Sequence, residues 1–100
     1  MYLLDFSDDF KRQFTKLVKG NKILKKQFDK ALDNLSDDPF YPSLKSHKVS
    51  TNKNQNVWSS WISGDVRIIW TFDEHNNLVI LVLETGTHSG GNKVYKKKSS

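Results

Sequence analysis

Apolar residues follow two rhythms along this chain, and the change of rhythm divides it. Tyr2–Phe6 alternates and predicts a short first strand. Ser7 then suits a helix N-cap, and Asp8 and Asp9 suit the positive end of the helix dipole. Phe10, Phe14, Leu17 and Val18 recur at helical spacing up to Gly20. Asn21 can cap a second helix with the stripe Ile23, Leu24, Phe28, Ala31, Leu32 and Leu35, stopped by Asp37, Asp38, Pro39 and Pro42. From Pro39 to Asn56 the composition shifts to Ser, Asn, Lys and Pro, which predicts a long loop with a short strand at His47–Ser50. Strand rhythm follows. Val57–Ile62 leads through the turn Ser63-Gly64-Asp65 to Arg67–Phe72, with Ile68, Trp70 and Phe72 on one face and Arg67, Ile69 and Thr71 on the other. The polar hairpin Asp73–Asn77 leads to Leu78–Glu84. The unbroken apolar run Leu78–Leu83 reads as a central strand buried on both faces. Helices first and a meander afterwards predict an α+β fold, with an N-terminal strand and a helical hairpin on one face of a small, mainly antiparallel sheet.

Composition narrows the class. One hundred residues, 36% of them apolar and including three Trp, six Phe and three Tyr, suffice for one small core. Residues 1–95 read as a single domain and 96–100, Lys-Lys-Lys-Ser-Ser, as a basic tail. There is no cysteine, so no disulfide framework or thiolate metal site is expected. No apolar run approaches membrane-spanning length, and a cytoplasmic protein is expected. The net charge is +5. No acid lies between Asp38 and Asp65, where Lys45, His47, Lys48 and Lys53 fall, and none follows Glu84, where His88, Lys93 and Lys96–Lys98 fall. Two basic segments, each with a histidine, suit a polyanion; a solvated surface kept for solubility is the alternative.

His88 follows the most apolar strand within Thr85-Gly86-Thr87-His88, where the scaffold fixes a titratable group and the loop exposes it. Antiparallel pairing brings Arg67 beside the end of that strand, Asp65 sits in the preceding turn, and His47 comes from the basic loop. Two histidines, a carboxylate and an arginine match phosphodiester cleavage. One group takes a proton from a hydroxyl, another returns one to the leaving oxygen, and a fixed cation holds the phosphate. This chemistry requires no metal or other cofactor, and no histidine pair has ligand spacing. Each residue also has a plain structural use: Asp65 as a turn residue, Arg67 as an edge charge, His47 as a loop polar group, Tyr95 as an anchor for the C-terminus. His75, in a hairpin tip, reads as structural.

The order and spacing of several segments resemble the RelE/ParE superfamily of bacterial type II toxins across nearly the whole chain. They are Phe6-Ser7-Asp8-Asp9-Phe10-Lys11, Leu35-Ser36-Asp37-Asp38-Pro39, Leu44-Lys45-Ser46-His47-Lys48-Val49, Ser63-Gly64-Asp65-Val66-Arg67-Ile68-Ile69-Trp70, Thr85-Gly86-Thr87-His88 and Val94-Tyr95. The loop around His47, the Asp65 turn and the Gly-Thr-His ending are most similar to the YafQ-like branch. That resemblance implies a ribosome-dependent mRNA endonuclease, acting in the A site of the small subunit and silenced by a cognate antitoxin. It implies proton-handling roles for His47 and His88, a supporting role for Asp65, phosphate binding by Arg67 and base stacking or orientation by Tyr95. Lys45, Lys48 and Lys93 would be further RNA contacts. Trp61 stands where the branch carries another histidine, as core or as a stacking platform. The spacing from His88 to Tyr95 is more like RelE. A gyrase-inhibiting ParE-like toxin and a silent basic RNA-binding module are the alternatives. His47 in a Lys/Ser/Asn-rich loop and Tyr95 beyond Gly90-Gly91 are both expected to be mobile, which predicts a site assembled only on the ribosome.

Overall fold

Among the described residues, a single layer of two helices covers one face of a five-stranded sheet, and the other face carries a groove. The structure, a computed structural model, describes residues 1–85; His88, Lys93, Tyr95 and the 96–100 tail lie outside the described residues. In chain order the elements are β1 (Leu4–Phe6), α1 (Asp8–Val18), α2 (Lys22–Asp37), a 3-10 turn (Pro42–Leu44), β2 (His47–Val49), β3 (Val57–Ser63), β4 (Val66–Phe72) and β5 (Leu78–Thr85). The sheet runs β1-β5-β4-β3-β2. Among the described residues only the β1–β5 pair is parallel.

Local chemistry sets the helix ends as expected. The Ser7 hydroxyl accepts from the Phe10 N–H at 3.0 Å, and the Asn21 side chain from the Leu24 N–H at 3.0 Å. Between the helices Gly20 adopts φ +70°, a left-handed turn that a side chain disfavours. Phe10, Leu24, Phe28, Ala31 and Leu35 pack on Ile68, Trp70, Leu78, Ile80 and Leu83. Phe6, Phe10, Phe14 and Phe28 continue as a ladder of rings with centroids 5.0–5.6 Å apart. Ile23 departs from the expected stripe and is 73% exposed. The buried line follows Leu24, Phe28, Ala31 and Leu35, and Ile23 lies about 100° round the helix from it.

β5 departs from expectation in two ways. It is an interior strand, but β4 is the central one. It is buried on one face only, because among the described residues no helix covers the other: Val79, Leu81 and Val82 stay half-buried. The register also slips, with Ile69 opposite Val82 but Trp70 opposite Ile80. Leu81 is thus an extra residue, a bulge that keeps Leu83 in the core with Ile80 and turns Val82 and Glu84 to the open face. The helix layer holds this irregular edge. Ser7 Oγ donates to the Leu81 carbonyl at 2.6 Å, and the Gln13 amide accepts from the Leu83 N–H at 2.9 Å.

The segment before β2 is pinned by a chain of side-chain hydrogen bonds. Trp70 Nε1 can only donate, and it meets Ser60 Oγ at 2.8 Å; Ser60 meets Ser46 at 2.6 Å; Ser46 donates to the Pro39 carbonyl at 2.7 Å. Both ends are fixed in sense, so every proton runs from Trp70 toward Pro39. His47 therefore opens a paired strand, as expected for His47–Ser50, and follows a residue tied to the core. Replacing Ser60 with Ala strands the buried indole N–H, at a cost of about 1–3 kcal/mol. A thermal melt of Ser60→Ala should show Tm lower by roughly 4 °C or more; an unchanged Tm would remove the relay from the account.

Candidate functional site

Strand alternation and register gather the site on the face away from the helices. His47, Ser59, Ile69 and Val82 form one cross-strand row over four strands, and Trp61, Arg67 and Glu84 form the next. The first row, Arg67 and Glu84 of the second, Val49, the 50–54 loop, Leu83 and Gln13 line an open groove of about 700 Å³, and Trp61 lies outside it, in a separate pocket against α2. The groove floor is apolar, from Val49, Ile69 and Val82, and its rim is polar, from His47, Lys53, Arg67, Glu84 and Asn54. A flat apolar floor with a few charged groups above it suits a planar base joined to a phosphate.

His47 is exposed at the start of β2, and its Nδ1 lies 3.0 Å from the Lys45 carbonyl. A carbonyl only accepts, so Nδ1 carries the hydrogen, and in the neutral ring Nε2 is the basic nitrogen. Lys45 presents that carbonyl from a left-handed backbone, φ 49°, at the end of the 3-10 turn. Arg67 lies opposite Glu84 in the register, with their side chains 4.0 Å apart. Glu84 is the groove residue that sequence reasoning missed as a site residue. The apolar run before it gives no sign of the Leu81 bulge that turns it toward Arg67. Lys53 was legible only as part of the acid-free loop.

The other expected residues divide. Asp65 is exposed in the β3–β4 turn and does not line the groove. Lys48 neighbours His47 in sequence, but alternation turns it the other way, its ammonium 5.4 Å from the centre of the Trp58 ring. Trp61 is not core: it is 37% exposed, donates to the Gly64 carbonyl at 2.9 Å, and carries the Lys45 ammonium 5.3 Å from its ring centre. His75 stays at the hairpin tip, where its N–H and that of Asn77 donate to Asp73 and hold that carboxyl below its usual pKa. His88, Lys93 and Tyr95 lie outside the described residues. Among the described residues no helix is long and apolar enough to cross a membrane.

No family model matches the chain, and no curated protein matches it in sequence. Solved structures do match in shape. A YoeB/ParE toxin from Agrobacterium tumefaciens superposes with TM-score 0.69 at 12% identity, over 84% of this chain and 98% of that one. A metal-bound toxin from Helicobacter pylori gives 0.68 at 23%, over 90% and 98%. The archaeal RelE of a RelE–RelB complex from Pyrococcus horikoshii gives 0.68 at 17%, over 87% and 97%. The chain therefore has the fold of the RelE/ParE toxins, as its sequence segments suggested.

Because Glu84 offsets the charge of Arg67, its neutralisation should strengthen anion binding in the groove. Glu84→Gln is expected to bind a fluorescent, uncleavable RNA oligonucleotide several-fold more tightly than wild type, measured by anisotropy at constant salt. Weaker binding would mean that Glu84 orients Arg67 rather than competing for it.

Proposed function

We propose that this protein is the toxin of a bacterial type II toxin–antitoxin pair and that it cleaves mRNA on the ribosome. The observation that carries the reading is the groove itself, with a histidine of defined tautomer and an arginine over an apolar floor on one open sheet face. The shared fold supports it, as does the capture of related RelE and YoeB toxins with RelB and YefM.

In this reading the RNA 2′-hydroxyl attacks the adjacent phosphorus. A histidine takes its proton, the 5′-oxygen leaves with a proton from a second group, and the products are a 2′,3′-cyclic phosphate and a 5′-hydroxyl. His47 and His88 are the proton-handling pair, and Arg67 holds the phosphate oxygens that gain charge. Tyr95 and Trp61 offer stacking faces, and Lys45, Lys53 and Lys93 add phosphate contacts. Lys48, on the far face, contributes through the long-range field. Asp65 supports from the turn, and Glu84 holds Arg67 until a phosphate replaces it. No metal enters the scheme. The groove is open and its arginine is engaged by a carboxylate, so the ribosome supplies the substrate orientation that the free protein lacks. An antitoxin carrying acidic groups covers the same cations and silences them.

The test is expression in a bacterial host with mapping of mRNA 5′ ends. Wild type should halt growth and leave cuts at codons in the A site. His47→Ala should lower the cleavage rate by about 10²–10⁴-fold. Arg67→Ala should cost more than Arg67→Lys, because guanidinium binds two phosphate oxygens and ammonium supplies a point charge. Full activity in all three variants would sink the assignment of this groove, and growth arrest with intact mRNA would favour the gyrase-binding reading.

A further inference from the structure

Beyond Ser59, where its pairing with β2 ends, β3 is the edge of the sheet among the described residues, and Trp61 stands on that edge. Its side chain lines a second, smaller cavity of about 250 Å³, formed with α2 and the 3-10 turn. The floor is apolar and buried, from Ala31, Leu44 and Ile62. Gln27, Ala31 and Asn34 are four and three residues apart, so one face of α2 turns all three to the cavity.

Three features of this cavity exceed what packing needs. Trp61 is 37% exposed, yet its ring is tied down, because the indole N–H donates to the Gly64 carbonyl at 2.9 Å. The side-chain amides of Gln27 and Asn34 and the Ser43 hydroxyl have no hydrogen-bond partner among the described residues. Each amide offers both donors and an acceptor. Lys30 lines the cavity and the Lys45 ammonium lies 5.3 Å from the Trp61 ring centre, while no lining residue is acidic. A nucleobase uses this combination: a ring face to stack on, amide and hydroxyl groups for its edge, and ammonium charge for the phosphate it carries. Size decides how much of a nucleotide enters. The cavity is smaller than the roughly 300–1,000 Å³ of pockets that enclose drug-sized ligands. It therefore takes one base and leaves sugar and phosphate outside, beside the lysines.

We propose that this cavity is a nucleobase site, with Trp61 as the stacking face and Gln27 and Asn34 as the groups that read the base edge. The source of the base rests on the nuclease reading. Trp61 is the cross-strand partner of Arg67, about 4.8 Å away in strand spacing. A base on Trp61 thus belongs to a nucleotide next to the phosphate on Arg67, and base choice near the cut is set by α2, outside the groove. A free nucleotide is the other source of the same chemistry.

The indole N–H signals of the three tryptophans test this in NMR titrations, with Trp61 assigned through Trp61→Phe. Nucleoside 5′-monophosphates should move the Trp61 signal with a Kd on the order of 1 mM, and ribose 5-phosphate should not. The signal of buried Trp70 should stay in place and report an intact fold. A 2′-O-methyl hexanucleotide, which cannot be cleaved, should move the Trp61 signal at lower concentration. Arg67→Ala should weaken the hexanucleotide about tenfold and leave the mononucleotides unchanged, which identifies the base as one of the RNA strand. Mononucleotides that bind as tightly as the hexanucleotide, both insensitive to Arg67→Ala, would support the site and assign it to a free nucleotide. Trp61→Ala should weaken the hexanucleotide about tenfold or more, with most of the loss restored in Trp61→Phe, and Asn34→Leu should change the ranking of the four bases. An unmoved Trp61 signal with every nucleotide and with the hexanucleotide would overturn the proposal. So would equal movement by ribose 5-phosphate, or movement by an aromatic or arginine-containing peptide alone, which would assign the cavity to a protein side chain. Base-dependent movement in a protein that leaves mRNA intact would remove the nuclease reading and leave this site standing.

Discussion

The indole N–H of Trp70 is the polar group around which this small domain is organised. Trp70 is fully buried on the central strand, where its ring stacks on Trp58 and meets Phe72 edge-on. A donor buried there needs an acceptor. Ser60, on the neighbouring strand, is that acceptor, and its own hydrogen must then go elsewhere. It goes to Ser46 and on to Pro39. One buried requirement in the sheet thus fixes where the chain after α2 crosses the sheet edge and where β2 begins. His47 is the next residue after Ser46. The position of the candidate base is a consequence of how a tryptophan is satisfied.

The groove follows from the same economy of layers. Among the described residues two helices cover one sheet face, and the second face keeps half-buried residues such as Val79 and Val82. Strand pairing then decides which charges stand over that floor. The β5 bulge brings Glu84 opposite Arg67, and Ser7 holds the bulge through its carbonyl while capping α1. A helix cap, a strand irregularity and an ion pair in the site are linked through one serine.

The sequence announces its elements because the rhythms are clean: the spacing of Phe10, Phe14 and Leu17, the caps Ser7 and Asn21, and the alternation through Arg67–Phe72. The face assignment of Arg67 follows from that alternation alone. His47 and Arg67 come together as the order of strands demands. What stayed hidden has physical causes. A run of six apolar residues has no alternation, so neither the bulge at Leu81 nor the facing of Glu84 could be read from it. The 3-10 turn that buries Leu44 is too short for periodicity to register. The opposite facing of His47 and Lys48 follows from alternation in the short strand that holds both. The resemblance implies Asp65 as the supporting carboxylate, and pairing geometry adds a second carboxylate, Glu84, in the groove itself.

The central claim is that this groove cuts RNA when the ribosome presents it. The most direct measurement is single-turnover cleavage of one RNA, free and in the ribosomal A site, at matched salt, because a basic protein binds any RNA nonspecifically when salt is low. The account predicts rapid cutting with the ribosome and slow or no cutting without it. Equal rates in the two conditions would contradict it and leave a conventional ribonuclease on a toxin fold.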